Sequence, residues 1–350
     1  MKRFRCDRAL RGGSMNVFEL QSLSLDGLSL AERPAPVPGP REALVRVRAA
    51  SLNYRDLAIA RGDYLPGLPL PFVLGSDAAG EVIAVGAEVT RVAPGDRVVA
   101  SYVLDWIDGV PTEATIARRL GGPAPGVLAE LCALPEHALV RIPDALSDEE
   151  AATLPIAGVT AWRGLLTTAR IGPGDVVVVQ GLGGVSVFAL QLAAAAGARV
   201  IAVGRGPERL ARAKSLGAWA TVDTTAEPAW DERVRALTEG RGADVVVDVA
   251  GGDELARSAA AVRLGGLVLV VGFAAGMTST LDLRPLLRRM VRLEAVSTGS
   301  RADLEALVAG LISLGVRPIV DHVFPFTETK AAFARLDRGG HIGKIVVRIS

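Results

Sequence analysis

The sequence is poor in the residues that build covalent or metal scaffolds. Only 2 of its 350 residues are Cys and only 3 are His, which excludes a disulfide framework and a four-thiolate zinc lobe. An excess of either charge is also missing, because 39 Lys and Arg face 38 Asp and Glu. No overall attraction to nucleic acid or to an anionic membrane is therefore expected. Half of the chain is apolar and 39 residues are Gly, which is typical of a folded α/β protein with about two domains.

One uncharged stretch, residues 176–198, is long enough to cross a bilayer. It starts with four consecutive Val residues and is then interrupted by Gly181, Gly183 and Gly184, which favours a buried strand followed by a buried helix. Residues 1–14 are basic and lack the apolar segment of a secretory signal. We interpret them as an N-terminal extension and expect a cytoplasmic protein with no membrane partner.

The first part of the chain, from Met15 to about Asp144, consists of short β-segments between Pro and Gly turns. Residues 43–49 alternate apolar and polar side chains, as a half-buried strand does. Residues 80–85 and 97–100 have the composition of further strands, with a Pro-Gly-Asp turn between them. This pattern predicts an antiparallel, barrel-like domain.

The pattern changes at Ser147, which forms a capping box with Glu150 and so predicts a helix start. Beyond it, largely apolar strands alternate with helices, which indicates a parallel sheet covered on both faces. After residue 300 the sequence predicts one more helix and two strand-like pieces that can return to the first domain. The predicted strands are 176–180, 199–203, 245–249, 267–271, 319–324 and 345–349, and the helices are 186–196, 207–215, 232–238, 254–263 and 302–314.

The sharpest motif is the glycine loop VVVVQGLGGVS at residues 176–186. It follows a predicted strand and opens a predicted helix, which is the context of a dinucleotide-binding fingerprint. Gly181 permits the tight turn, and Gly183 lets the backbone approach a pyrophosphate at the helix N-terminus. Ser186 stands at the third, small position, and no Gly-Lys-Ser/Thr follows, which excludes a Walker loop. We predict that Gly181, Gly183, Gly184 and Val185 bind a dinucleotide; a glycine turn without a ligand is the alternative.

The end of the next predicted strand bears on the choice of dinucleotide. An NAD-binding unit has an acidic residue there, which accepts a hydrogen bond from the ribose 2′-OH. This chain has Gly204 at that position, with Arg205 beside it and Arg209 one helical turn further on. Gly leaves room for a 2′-phosphate and Arg can pair with it, so the loop favours NADP(H), with NAD(H) as the alternative. Glu208, in the same loop, weakens the preference for NADP(H). The alternative for both arginines is that they are solvated surface charges.

Several segments occur in one order along the chain: residues 49–56 (AASLNYRD), 71–80 (PFVLGSDAAG), 94–98 (PGDRV), 153–162 (TLPIAGVTAW), the glycine loop and 339–344 (GGHIGK). Together they resemble the medium-chain dehydrogenase/reductase superfamily, in particular its zinc-independent, quinone oxidoreductase-like branch, which includes zinc-type alcohol dehydrogenase-like proteins. The resemblance implies an α/β fold in which a GroES-like, β-rich catalytic domain (residues 15–150 and 301–350) contains an inserted Rossmann domain with a doubly wound parallel sheet (residues 151–300). It also implies a homodimer that pairs through an edge strand near residues 291–298.

The resemblance also implies where a catalytic zinc would be bound. Zinc enzymes of the superfamily use a Cys in the first segment, a His-Glu pair in the second and a Cys near the domain junction. This sequence has Asn53, Ser76 followed by Asp77, and Ile156 at those positions. One carboxylate does not hold a catalytic zinc alone, so we expect no metal. We interpret Cys132 as a small buried apolar residue, and His137 and His322 as surface or structural residues.

The resemblance implies that Asn53, Asp56 and Tyr64 lie near a nicotinamide, and we take these three as the candidate catalytic residues. Tyr64 is the better proton donor by chemistry, because a phenol can donate a proton and then hold a partial charge. Tyr54 and water are alternative proton sources, and a turn or packing role is the alternative for each candidate. The further cofactor-binding residues that the resemblance implies are Asn53, Thr160, Gly251, Gly272, Phe273 and Lys344, the last as a phosphate contact.

These residues predict an enzyme that transfers hydride between NAD(P)H and a small molecule. Without zinc, a quinone or a conjugated enone is the natural substrate, because it accepts hydride and then needs only hydrogen bonding and a proton. A simple alcohol or ketone normally requires a Lewis acid on its oxygen. An alcohol dehydrogenase acting on an alcohol and its aldehyde, and a cofactor-binding redox sensor without turnover, are the alternatives.

Overall fold

The computed structural model describes residues 13–65 and 67–350. The chain forms two compact units. The first contains the residues up to Ile156 together with Gly299–Ile312 and Arg317–Ser350, and the second contains Ala157–Thr298 with Ser313–Val316. Of the predicted N-terminal extension, residues 1–12 lie outside the described residues, and Ser14 already belongs to the first strand.

The first unit is rich in β-structure, as its Pro and Gly punctuation predicts. A seven-stranded sheet has the order β15-β16-β3-β5-β6-β8, with β7 also paired to β3, and a three-stranded sheet has the order β2-β1-β4. Numbered along the whole chain, these strands are β1 (Ser14–Leu20), β2 (Leu28–Pro34), β3 (Glu42–Ser51), β4 (Phe72–Val73), β5 (Asp77–Val85), β6 (Arg97–Ala100), β7 (Leu131–Pro135), β8 (Leu139–Arg141), β15 (Val320–Pro325) and β16 (Lys344–Arg348).

The helices of the first unit are mostly short. The predicted capping box is present, because the Ser147 amide donates to Glu150 Oε2 (2.9 Å) and the Glu150 amide donates to Ser147 Oγ (3.1 Å). The α-helix it starts is only four residues long. Three helices, α1, α2 and α11, were not predicted from the sequence. The helices are α1 (Tyr54–Ala60), α2 (Glu113–Ile116), α3 (Asp148–Ala151), α10 (Arg301–Leu314) and α11 (Thr329–Arg338), with 3₁₀ turns at Leu25–Gly27, Glu136–Ala138 and Phe326–Glu328.

Strand pairing brings three distant parts of the first unit to one end of its larger sheet. The C-terminal strand β16 runs antiparallel to β3 with Val346 opposite Ser51, so Lys344 lies next to the residues that follow β3. On the other side of β3, Asp77 at the start of β5 is the partner of Ser51. The chain leaves β3 through Leu52 and enters α1 after Asn53. The register therefore collects Asn53, Asp77 and Lys344 at this end.

The second unit has the predicted parallel sheet. Its six strands have the order β11-β10-β9-β12-β13-β14, and all five pairs are parallel. This is the order of a doubly wound dinucleotide-binding sheet, in which the direction of winding reverses between β9 and β12. The strands are β9 (Val176–Gln180), β10 (Arg199–Gly204), β11 (Ala220–Asp223), β12 (Ala243–Asp248), β13 (Val262–Val270) and β14 (Arg292–Ala295).

Helices connect these strands, so the predicted alternation is present with shifted ends. The short strand β11 and helix α9 were not predicted, and β13 begins five residues earlier than the sequence indicated. The helices are α4 (Val159–Trp162), α5 (Gly184–Ala195), α6 (Pro207–Ser215), α7 (Trp230–Leu237), α8 (Glu254–Ala261) and α9 (Leu283–Arg289). π-Helical turns cover Arg163–Ala169 and Leu154–Gly158, the latter where the two units join in sequence.

The uncharged stretch 176–198 is resolved as a strand and a helix. All five residues of β9 are buried, and α5 follows after a turn of three residues. This confirms the strand–helix interpretation of the stretch. Across residues 13–65 and 67–350, every helix is too short or too polar to traverse a bilayer.

Candidate functional site

The glycine turn of the second unit connects β9 to α5. Gly181 has φ +67°, a left-handed conformation that a residue with a side chain rarely adopts. Ser186, at the third position of the motif, is buried and donates from Oγ to the Gln180 carbonyl at 2.6 Å. It therefore binds the helix to the strand, which is the packing role that this position has in a dinucleotide fold.

Gly183 precedes the first residue of α5 and has an ordinary backbone conformation, φ −72° and ψ −174°. A Cβ atom at Gly183 would meet nothing within 4 Å, and the same holds at Gly181. Neither backbone conformation nor internal packing therefore requires glycine at 183. An open surface at a helix N-terminus, where N–H groups have no helical partner, fits a phosphate group that approaches the backbone closely.

Gly251 and Gly272 are glycines for a different reason. A Cβ at Gly272 would lie 2.4 Å from the Val249 carbonyl oxygen, and a Cβ at Gly251 would lie 2.8 Å from the Gly272 carbonyl oxygen. These two residues let the chain segments that follow β12 and β13 pack backbone against backbone. The structure thus explains both glycines without a ligand, while leaving them at the carboxyl ends of the strands, where such sheets bind cofactors.

A buried polar network fixes the segment after β12. Asp248, fully buried, accepts hydrogen bonds from the amides of Gly251 (2.8 Å) and Ala250 (3.1 Å) and from Ser258 Oγ (2.6 Å). Gln180 Nε2, at the end of β9, donates to Ser258 Oγ at 2.9 Å. The network ties the ends of β9 and β12 together beside the glycine turn. Sequence reasoning missed Asp248 and Ser258, although a polar residue ending an apolar strand was a usable signal.

The positions from which the sequence favours NADP(H) lie at the end of β10 and in the helix that follows it. Gly204 is the last residue of the strand, and a Cβ there would make only ordinary contacts, 3.8 Å from Gly181 Cα and from a Leu210 methyl group. Arg205 is exposed and makes no ion pair within the described part of the chain, whereas Arg209 on α6 is half-buried. Thr160 on α4 is buried, and its Oγ1 has no hydrogen-bond partner among the described residues.

The first unit contains a second polar group, at the end of its larger sheet. Lys344 Nζ donates to Asn53 Oδ1 at 2.5 Å and to the Leu52 carbonyl oxygen at 2.7 Å. Asn53 Nδ2 donates to Asp77 Oδ2 at 2.9 Å, and Lys344 Nζ lies 3.8 Å from the same oxygen. None of the three side chains is more than 8% exposed. This differs from the expected role of Lys344 as a phosphate contact, because its ammonium is buried among oxygens of its own unit.

The same network continues into helix α1. Asp56 Oδ2 accepts from the Asn53 amide at 2.9 Å, which closes the first turn of the helix, and Asp56 Oδ1 accepts from Ser76 Oγ at 2.5 Å. Arg55 donates to Ser76 Oγ and to the carbonyl oxygens of Leu120 and Gly122, both at 3.1 Å. Asp56 is completely buried. Of the predicted catalytic residues, Asn53 and Asp56 thus have their polar atoms bound within the unit.

Tyr64 is the candidate that lies nearer the surface. It is half-buried, and its ring centroid lies 5.8 Å from the Arg55 guanidinium carbon. The ring of Tyr102 lies on the same guanidinium at 4.8 Å and is buried. Burial raises the pKa of Tyr102 to about 12, against the opposing effect of Arg55. Arg55 and Tyr102 were missed from the sequence, where Arg55 was quoted only as part of a motif.

Two further predictions concern residues outside this group. Cys132 is buried, and burial raises the pKa of its thiol to about 12, which confirms it as an inert apolar residue. His137 Nε2 lies 3.0 Å from Asp105 Oδ1. The ring centroids of His322 and Phe324 lie 4.4 Å apart. Both histidines have the surface or structural roles expected of them.

The residues at the positions expected for zinc ligands do not fit a zinc ion. A catalytic zinc is held by three protein ligands drawn from thiolates, imidazoles and carboxylates. Here the Asn53 amide oxygen and Asp77 Oδ2 both face the Lys344 ammonium, and Ile156 has no donor atom. A divalent ion bound to Asp77 would lie against that ammonium. Elsewhere in residues 13–65 and 67–350, no group of three His, Cys, Asp or Glu side chains is placed to bind a metal.

Comparison with known proteins identifies the family. Residues 39–144 match the model of the alcohol dehydrogenase GroES-like domain, and residues 184–313 match the model of the zinc-binding dehydrogenases. A zinc-type alcohol dehydrogenase-like protein of Schizosaccharomyces pombe is 40% identical over 89% of this chain and 91% of its own length. The chain belongs to the medium-chain dehydrogenase/reductase superfamily. This confirms the predicted family and, with it, the α/β fold of a GroES-like domain and a Rossmann domain.

Other members of this superfamily are also similar over most of their length. A quinone oxidoreductase of Pseudomonas aeruginosa is 35% identical over 85% of this chain and 88% of its own. A solved structure described as an alcohol dehydrogenase of Sinorhizobium meliloti has 43% identity and a TM-score of 0.90, and covers 96% of this chain and 99% of its own. The chain is therefore an oxidoreductase of a family whose members bind NAD(P).

Proposed function

We propose that this member of the medium-chain dehydrogenase/reductase superfamily reduces quinones or conjugated enones with NADPH and uses no catalytic metal. The observation that carries the proposal is the occupation of the Asn53 and Asp77 oxygens by the Lys344 ammonium. A site that offers no ligands for a Lewis acid suits a substrate that needs none. The similarity to a quinone oxidoreductase supports the same substrate class.

The second unit would hold the dinucleotide through residues of four chain segments. The turn Gly181–Gly183 and the first amides of α5, at Gly184 and Val185, suit the pyrophosphate, and the exposed Arg205 suits a 2′-phosphate next to Gly204. The unpartnered Oγ1 of Thr160 would gain a hydrogen bond from the cofactor. We assign Arg209 and Phe273 to the same binding surface, as the family resemblance implies.

Bound NADPH would supply the hydride. The first unit would then supply a proton and fix the geometry of its donor. We propose that Tyr64 donates that proton to the substrate oxygen, giving a hydroquinone from a quinone, or from an enone an enol that then tautomerises to the saturated ketone. The Arg55 guanidinium carbon lies 5.8 Å from the centroid of the Tyr64 ring, and this cation–ring contact positions the phenol. Asn53 and Asp56 act as positioning residues, since their polar atoms are bound inside the unit.

NADPH oxidation by the purified protein, followed at 340 nm against a panel of quinones, enones, aldehydes and alcohols, tests the proposal. We expect turnover of quinones or enones that persists after dialysis against a chelator, together with less than about 0.1 zinc per chain by elemental analysis, since the donor set is incomplete. Turnover confined to an alcohol and its aldehyde, with stoichiometric zinc, would replace our proposal with an alcohol dehydrogenase. NADPH binding without turnover on any compound would favour a redox sensor.

Replacing Arg205 with Ala should weaken NADPH binding about tenfold and leave NADH binding unchanged, because one charge-assisted pair with the 2′-phosphate is lost. Fluorescence titration of both cofactors measures the two dissociation constants. Arg212→Ala is the matched control, because Arg212 is an exposed arginine of the same α6 helix that contacts Ser215. An NADPH preference that survives in Arg205→Ala would assign the preference to another residue.

We also propose that the protein is a homodimer formed through β14. This strand lies at one edge of the parallel sheet, and all four of its residues are exposed. The neighbouring α9 exposes Leu283 and Leu287, which are 66% and 76% exposed. An open strand edge beside exposed leucines suits pairing with a second copy of the chain.

A further inference from the structure

The polar network of the first unit is a balanced cluster of buried charges. Its ionisable members are Arg55, Asp56, Asp77 and Lys344, two cations and two anions, and none of the four is more than 9% exposed. An unpaired charge at such depth is strongly unfavourable, and a pair is tolerated only when its hydrogen bonds are satisfied. Removing any one of the four charges would therefore leave another buried charge without its counter-ion. This applies in particular to Lys344.

Lys344 is the cation at one end of the cluster. Three oxygens surround its ammonium: the Leu52 carbonyl at 2.7 Å, Asn53 Oδ1 at 2.5 Å and Asp77 Oδ2 at 3.8 Å. They come from two places in the sequence: Leu52 and Asn53 lie between β3 and α1, and Asp77 is the first residue of β5. The contact to Asn53 Oδ1 also fixes the orientation of that amide, because it leaves Nδ2 to donate to Asp77.

The electrostatic surroundings of Asp77 support the same assignment. Burial raises the pKa of Asp77 to about 7, while the Lys344 ammonium and the hydrogen bond from Asn53 act in the opposite direction. Burial also lowers the pKa of Lys344. Burial thus disfavours the charged form of each group, and the attraction between the two opposes that effect.

The contacts continue from Lys344 to the proposed proton donor. Asn53 connects Lys344 to Asp56 through its backbone amide, and Ser76 connects Asp56 to Arg55. Arg55 in turn lies against the rings of Tyr102 and Tyr64. Every link in this series is a hydrogen bond or a cation–ring contact within one unit.

We propose that the Lys344 ammonium is the resident cation of this site, in the place where a metal ion would otherwise be bound, and that it is a positioning residue for Asn53 and, through the cluster, for Tyr64. This inference rests on the proposed reductase function. Loss of the Lys344 ammonium should therefore lower kcat and leave the affinity for the cofactor unchanged.

Chemical rescue of Lys344→Ala tests the proposal. The substitution removes three carbons and the ammonium, the atoms of n-propylammonium. We expect kcat for a quinone to fall about tenfold through displaced catalytic groups, with KM and the NADPH dissociation constant unchanged. Added n-propylammonium should restore at least about half of the lost rate, and 1-propanol should not, since only the former carries charge. Lys330→Ala, at an exposed lysine of the same unit, is the control.

Three outcomes would overturn the proposal. An unchanged kcat would show that the ammonium is dispensable. A selective loss of NADPH affinity would return Lys344 to phosphate binding. Equal rescue by 1-propanol would reduce its role to filling space.

Failure of the proposed function remains distinguishable from failure of this inference. If the wild-type protein reduces no compound of the panel, the thermal midpoint of Lys344→Ala still reports on the cation, because n-propylammonium and not 1-propanol should raise it. Should Lys344→Ala fail to fold, Lys344→Met is compared with Lys344→Met/Asp77→Asn. The double variant should have the higher midpoint, since it removes the uncompensated carboxylate. A lower midpoint of the double variant would contradict the pairing of Lys344 with Asp77.

Discussion

Replacing Tyr64 with Phe should lower kcat for quinone or enone reduction about a hundredfold or more, because general acid catalysis typically contributes that much. The substitution removes one hydroxyl and leaves the ring against Arg55, so the packing of the first unit should not change. Stopped-flow measurement of NADPH oxidation separates the chemical step from product release. The thermal midpoint and the NADPH dissociation constant should stay at wild-type values.

The contacts of the other two candidate residues, Asp56 and Asn53, favour Tyr64 as the proton donor. Asp56 is completely buried and binds the Asn53 amide and Ser76 Oγ. The side-chain amide of Asn53 is bound to Lys344 and Asp77. The Asp56 carboxylate is enclosed within the first unit, and the Asn53 amide has no acidic proton to give. Tyr64 is half-buried and carries a phenol that can donate a proton, and its ring centroid lies 5.8 Å from the Arg55 guanidinium carbon.

Tyr54→Phe is the matched comparison, because Tyr54 precedes Arg55 in the same helix and is the competing phenol. Its side chain is 42% exposed, and we expect Tyr54→Phe to keep wild-type kcat. A large loss in Tyr54→Phe with none in Tyr64→Phe would exchange the two roles. Wild-type rates in both variants would identify water as the proton source.

The sequence predicted the second unit more completely than the first. Its strands are runs of Val, Ile and Leu that are buried on both faces, and such runs have few alternative structures. The glycine turn has the conformation that its sequence predicts, because Gly181 has a positive φ and Gly183 precedes a helix. The helix α9 was missed because its leucines face outward, so it lacks the apolar stripe that packs on a core.

The polar network of the first unit could not be predicted from local patterns. Lys344 and Asn53 are 291 residues apart, and only the pairing of β16 with β3 brings them together. The sequence motif singled out Lys344 as a phosphate contact, because a lysine after glycines does not reveal which oxygens its ammonium will face. The role of Arg55 was hidden for the same reason, since its partners at residues 120–122 belong to a distant loop. Charges that are buried at a site are recognised only once the register of the sheet is known.

Replacing Gly183 with Val should raise the NADPH dissociation constant about a hundredfold or more without unfolding the protein. The added methyl groups would occupy the open space next to the first amides of α5, where we place the pyrophosphate. Loss of two hydrogen bonds to a charged acceptor costs about 3 kcal/mol or more, which is about a hundredfold in affinity. Isothermal titration with NADPH measures this constant directly.

Stability should be nearly unaffected, and this separates a binding defect from a folding defect. Valine readily adopts the extended conformation found at Gly183, and its Cβ would meet no atom within 4 Å. The change at the helix N-terminus costs at most about 1 kcal/mol, a shift of a few degrees in the thermal midpoint. Gly172→Val is the matched control, because a Cβ at Gly172 also meets nothing within 4 Å and lies in the same unit.

The comparison of Gly183→Val with Gly172→Val decides whether the open space at the turn is a binding surface. Both variants place the same side chain on a glycine that internal packing does not require. Only Gly183→Val places it at the N-terminus of α5, where the first amides have no partner within the helix. Wild-type NADPH affinity in Gly183→Val would mean that the pyrophosphate binds elsewhere, and the case for Arg205 as the 2′-phosphate contact would then fail as well, because both assignments depend on the same orientation of the cofactor across β9 and β10.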